Sequence, residues 1–149
     1  MEIVTLFPHN KKFPQLFQKE KQKLTALLPN CEIQHIGSTA VPGLGGKGII
    51  DILVSLKNWK NKQKVIAQLK KLGFLHIHPI VAGRIFLSRV KTTKYKDAHI
   101  HLVKTGSKQY HEMLAFRDYL KKIQKRRGVI MRSKNTGATT TKMTALAIV

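Results

Sequence analysis

Residues 49–56 read Ile-Ile-Asp-Ile-Leu-Val-Ser-Leu, an apolar run with a single carboxylate inside it. A stretch this short and this apolar fits a central strand buried on both faces. Asp51 within it constrains the fold more than any other residue. A carboxylate in such a strand is costly unless it finds a cation or hydrogen-bond donors. Asp51 is therefore either half of a structural ion pair or a metal ligand. The preceding segment, His35 to Gly48, is glycine-rich and contains Pro42, so it reads as turn and loop. Gly37-Ser38-Thr39 opens it, directly after a strand expected at Glu32–Ile36. Glycine there permits close backbone approach, and the following amides and hydroxyls can hydrogen-bond phosphate oxygens. Magnesium pairs few carboxylates with substrate phosphates, which suits a Ser38 turn followed by Asp51. Lys47, between turn and strand, either neutralises such a phosphate group or is simply solvated.

Apolar periodicity orders the rest of the chain. Phe13, Leu16, Phe17, Leu24, Leu27 and Leu28 predict an amphipathic helix ended by Pro29-Asn30. Val65, Ile66, Leu69 and Leu72 predict a second over Trp59–Leu72, with Gly73 as its stop. Phe74–Ile77, Arg84–Val90 and Ala98–Val103 read as strands, and Gln109–Lys122 as a third helix. The order α-β-β-α-β-β-β-α predicts an α/β (α+β) fold, a mixed sheet with flanking helices. His99 and His101 alternate with Ile100 and Leu102, so both face one side of a strand. They either bind metal or phosphate or are hydrogen-bonded residues of a polar sheet face.

The 149 residues suffice for one domain, and a hydrophobic fraction of 42% supports a packed core. No apolar run reaches the roughly 18 residues of a membrane span, so no membrane partner is expected. Met1–Phe7 lacks a basic segment and a long apolar segment, and a cytoplasmic location is the expectation. A single cysteine, Cys31, leaves no internal disulfide and no multi-cysteine zinc site. The formal charge of +21 attracts polyanions. Its lysines are scattered, however, and no helix-turn-helix, RNA-stacking or zinc-finger signature accompanies them. Nucleic acid is therefore a partner the charge permits but the motifs do not favour.

The segment His35-Ile36-Gly37-Ser38-Thr39-Ala40-Val41-Pro42-Gly43-Leu44, then Lys47, then Ile49 to Val54, closely resembles the signature of the GrpB family. Further matching pieces are Pro14, Phe17, Gly83-Arg84-Ile85-Phe86, His99 to Val103 and Phe116 to Leu120. That family is similar to a domain fused to some bacterial dephospho-CoA kinases, and it resembles polymerase-β-type nucleotidyltransferases. The resemblance implies a nucleotidyltransferase-like fold that binds a nucleotide or other phosphorylated small molecule. It implies that Ser38 helps hold the phosphates; Gly37, Thr39, Lys47 and Arg84 are further candidate phosphate contacts, with His35, His99 and His101 as candidate support. Asp51 is then the magnesium ligand and catalytic carboxylate of a nucleotidyl transfer. The alternative is a non-catalytic binding or accessory module. Two departures stand out: Leu53 occupies the position of the second metal carboxylate, and Gly48 replaces a proline usual before the strand.

The resemblance covers roughly residues 4–122, which predicts a domain over 1–122 and an atypical basic tail over 123–149. Residues 119–149 contain eight Lys or Arg and no Asp or Glu, and four threonines fall between Thr136 and Thr141. A reading-frame change near residue 122 is one origin for such a tail. A genuine basic tail that contacts nucleic acid is the other.

Overall fold

The computed structural model describes residues 12–44, 49–81, 83–90 and 97–134. Lys47, Gly48, Met1–Phe7 and Thr136–Thr141 lie outside the described residues. In chain order the elements are α1 (Lys12–Leu27), β1 (Cys31–Ile36), a 3-10 turn (Ser38–Ala40) and β2 (Ile50–Leu56). A second 3-10 turn (Trp59–Asn61) leads into α2 (Lys62–Lys70), followed by β3 (His76–Val81), β4 (Arg84–Arg89), β5 (Ala98–Lys104) and α3 (Lys108–Lys134). The element order is the one the periodicity predicts.

The five strands form one sheet in the order β1-β2-β5-β4-β3. β2 and β5 run parallel, and the other three pairs are antiparallel. A mixed sheet of this kind matches the expected class. Strand alternation divides its two faces. Ile52, Val54, Ile100, Leu102, Ile85 and Leu87 point to one side and pack with Phe13, Phe17 and Leu24 of α1 and with Val65, Ile66 and Leu69 of α2. Ile36, Leu53 and Val103 point to the other, under Tyr110, Met113 and Leu114 of α3. Burial of these side chains is the main stabilising term, worth roughly 1.5–3 kcal/mol for each large apolar residue.

Three elements differ from the sequence expectation, the first being the helix expected over Trp59–Leu72, which is a 3-10 turn followed by the shorter α2. The strand expected at Phe74–Ile77 starts later, at His76, and runs through Pro79. Phe74 is fully buried, but as a plug beyond α2, with the Arg89 guanidinium 4.7 Å from its ring centroid. The third helix continues past Lys122 to Lys134. Two of its large aromatic residues, Phe116 and Tyr119, face solvent.

A buried ion pair ties α1 to the sheet. Arg89, 3% exposed, forms a forked pair with Glu20 of α1, at 3.2 and 2.5 Å. Its Nη1 also donates to the Leu72 carbonyl at 3.3 Å.

Candidate functional site

The register of β1, β2 and β5 builds the site. Asp51 lies opposite Ile36 on one side and His99 on the other, and Leu53 lies opposite His101. By alternation Asp51, His99 and His101 share the α3 face of the sheet, at the end that the Leu53 cluster leaves uncovered. His99 Nδ1 is 3.4 Å and His101 Nε2 3.5 Å from the same oxygen, Asp51 Oδ1. Arg84 Nη2 lies 3.2 Å from His101 Nδ1. A guanidinium only donates, so Nδ1 accepts and Nε2 is left as the donor toward Asp51. Phe86 stands beside both imidazoles, edge-on to His99 at 4.9 Å and tilted to His101 at 5.3 Å. Arg84 Nε is buried with no hydrogen-bond partner among the described residues.

Above Asp51 sits the turn. Gly37 has φ +77, and a Cβ at that position would lie 2.6 Å from Asp51 Oδ2. Only glycine lets the backbone close on the carboxylate this tightly. The turn's internal bonds run from Ala40 N to Gly37 O and from Val41 N to Ser38 O. The Ser38 and Thr39 amides therefore have no partner within the turn, as at the start of any helical turn.

Not every predicted residue joins this cluster. Thr39 is 2% exposed, and its hydroxyl pairs with His35 Nε2 at 2.9 Å. The His35 ring stacks on Phe17, centroids 4.5 Å apart, on the α1 side of the sheet. Asp51, His99, His101 and Arg84 come together, with Gly37 and Ser38 above them, while Thr39 and His35 form a support behind the turn. Two participants escape a reading of the sequence alone. Phe86 and Arg117 fall in segments that match the family signature, but nothing in the sequence gives either a role at the site. Arg117 of α3 binds Gln34 Oε1 at 3.0 Å and the His35 carbonyl at 3.2 Å, and so locks α3 to β1.

Burial pushes the Asp51 carboxyl up, while hydrogen bonding and electrostatic attraction from His101 and His99 pull it down further. The net result lies below the ordinary 3.8. Glu32 is held below its ordinary 4.5 by Gln34, against burial, with help from Tyr110, Ser55 and Arg117. The Tyr110 hydroxyl donates to Glu32 Oε2 at 2.8 Å, another tie between α3 and β1. A depressed carboxyl contributes stability that is complete above its unfolded value and is lost as pH falls through the folded value. The stability of this chain should therefore drop below about pH 4.5, near the two reference values. Asp51→Asn and Glu32→Gln should each flatten that drop. Urea midpoints at pH 7 and pH 3 test this, and an unchanged difference between the two pH values in both variants would refute it.

The donor set does not fit a two-ion magnesium centre. Such a centre needs carboxylates that hold both ions in line with the reacting oxygens. Leu53, where the second belongs, is fully buried beneath α3. Among the described residues, no three His, Cys, Asp or Glu side chains are arranged to hold a metal ion. No helix among them is long and apolar enough to cross a membrane.

The sequence profile described as GrpB protein matches residues 3–145, a span that runs past residue 122. The chain is 32% identical over 121 residues to a UPF0157 protein of Halalkalibacterium halodurans, covering 79% of this chain and 60% of that one. It is 33% identical over 123 residues to the glutamate-rich protein GrpB of Alkalihalophilus pseudofirmus, covering 78% and 71%. The chain thus spans about three fifths of the first of these relatives. The crystal structure of the conserved protein GrpB from Enterococcus faecalis superimposes with a TM-score of 0.67 at 26% identity, covering 87% of this chain and 81% of that one. The Cid1 poly(U) polymerase superimposes with a TM-score of 0.55 at 12% identity, covering 79% and 37%. That last likeness shows a nucleotidyltransferase-like fold and no more. With the profile covering nearly the whole chain, this protein belongs to the GrpB family.

Proposed function

We propose that this chain is a binding module of nucleotidyltransferase-like fold whose ligand is a nucleotide or another phosphorylated small molecule. Binding, rather than two-metal nucleotidyl transfer, is its activity. The observation that carries this reading is the convergence of His99, His101 and, through His101, Arg84 on Asp51 under the Gly37 turn. The turn offers phosphate oxygens the Ser38 and Thr39 amides and the Ser38 hydroxyl. Arg84 retains a buried donor, Nε, for an acceptor oxygen. Asp51 opposes a bare phosphate by charge. A magnesium ion carried in by the nucleotide would offset that repulsion. Leu53 argues against transfer, because no second carboxylate is there to hold a second ion.

Titration of the chain with ATP and CTP, with and without magnesium, tests this. Binding is expected, magnesium should strengthen it, and Asp51→Ala should abolish the magnesium dependence. No pyrophosphate should be released over hours. If Asp51→Ala binds both nucleotides unchanged, the carboxylate is only structural. Catalytic release of pyrophosphate would overturn the non-catalytic reading.

A further inference from the structure

On the other side of the turn from Gly37, the outer edge of β1 borders a cavity of 280 Å³. Asp51, His99 and His101 are not among its lining residues. Its walls come from three elements the sequence keeps far apart: α1, the Thr39–Pro42 segment and α3. Pro14, Phe17, Ala40 and Pro42 give it an apolar body. Three cations, Lys21 of α1 with Arg117 and Lys121 of α3, line it, and among the described residues no Asp or Glu does.

The cations have different standing. Arg117 is fixed, through Nη1 to Gln34 and the His35 carbonyl and through Nε to Asp118 at 3.0 Å, and its side chain is 15% exposed. Lys21 and Lys121 are exposed at the mouth. A pre-positioned guanidinium with two mobile ammoniums matches a doubly charged head group better than a single carboxylate. The volume sits at the small end of ligand cavities. Pro and Phe walls leave no use for a bare inorganic ion.

We propose that this cavity is a second ligand site, separate from the Asp51 cluster, and that it takes a small organophosphate: a phosphate held by Arg117, Lys21 and Lys121 on a compact apolar body. Thr39 and Ala40 line it while Gly37 touches Asp51, so one turn forms a wall of both sites. This inference does not depend on the function proposed for the Asp51 cluster.

The test is a titration of the full chain with phenyl phosphate, followed by amide chemical shifts, with benzoate and inorganic phosphate in parallel. Shifts should centre on Ile33, Gln34 and Ala40, and phenyl phosphate should bind more tightly than either other probe. The double variant Lys21→Gln/Lys121→Gln should weaken binding by about tenfold. A charge-matched control at exposed α2 positions, Lys64→Gln/Lys70→Gln, should leave it within about twofold. Both pairs are exposed, so folding should be unaffected. Equal weakening in the two double variants would mean that the +21 field attracts the probe diffusely, and would overturn the proposal. So would shifts centred on Asp51, His99 and His101, or inorganic phosphate binding as well as phenyl phosphate.

Discussion

Glu20→Ala should cost about 3–5 kcal/mol of stability. The partner it abandons, Arg89, has a side chain only 1% exposed. Removing the carboxylate leaves a guanidinium that cannot lose its proton and cannot reach water. A domain of this size holds about 5–15 kcal/mol in total, so the variant should unfold at markedly lower urea concentration. The pair itself need not be a net source of stability. Two charges taken out of water lose hydration about as large as the attraction they gain. Glu20→Met/Arg89→Met should therefore be less damaged than Glu20→Ala, despite losing the Arg89 bond to the Leu72 carbonyl and the Phe74 contact. Denaturation of the wild type and the two variants decides it. A loss below about 1 kcal/mol for Glu20→Ala would mean that water reaches Arg89 and the pair is not buried in solution.

That pair illustrates what the sequence conceals. Glu20 occupies a helix position among Lys19, Lys21 and Lys23, where it reads as one more solvated charge. Its partner lies 69 residues away on β4, and only the tertiary fold joins them. Elements whose signal is local are legible: the α1 periodicity, the apolar β2 and the alternation of β5 each point to the right structure. β3 departs from its local pattern for two physical reasons. Phe74 is hydrophobic because it plugs the end of α2, and Pro79 speaks against a strand unless that strand is an edge. β3 is an edge strand, but strand order is not written in local pattern. The same limit holds at the site. Asp51 and the two histidines can be singled out one by one, because a carboxylate in an apolar strand and paired imidazoles are each unusual. Their convergence depends on the parallel pairing of β2 with β5 across 48 residues, Asp51 against His99. The turn is legible as a turn, but not the fact that Thr39 faces away from Asp51.

Gly37→Ala should damage the Asp51 site through two separable effects. The first is conformational: φ 77 with ψ −175 is a region essentially restricted to glycine, and a Cβ there costs about 1–3 kcal/mol. The second is steric, since the new methyl would fall 2.6 Å from Asp51 Oδ2 and 3.0 Å from its Cβ. Either the turn lifts or the carboxylate rotates off His99 and His101. Gly106→Ala supplies a positive-φ comparison without a clash, because Gly106 has φ +80 and a methyl added there would meet no heavy atom within 4 Å. Gly37→Ala should therefore lose more stability than Gly106→Ala. Truncating the carboxylate in Gly37→Ala/Asp51→Ala should recover the part of the clash made by the Asp51 carboxyl group, while the 3.0 Å contact with its Cβ stays, a coupling of about 0.5–3 kcal/mol between the two positions. Ligand affinity should behave otherwise: the double variant regains stability without regaining magnesium-dependent nucleotide binding, because the carboxylate itself is gone. Additive stability losses in that cycle would show that the turn does not rest on Asp51. The Gly37 contact would then be a feature of backbone geometry alone, and the pairing of a glycine turn with a strand aspartate would no longer explain why the chain brings them together.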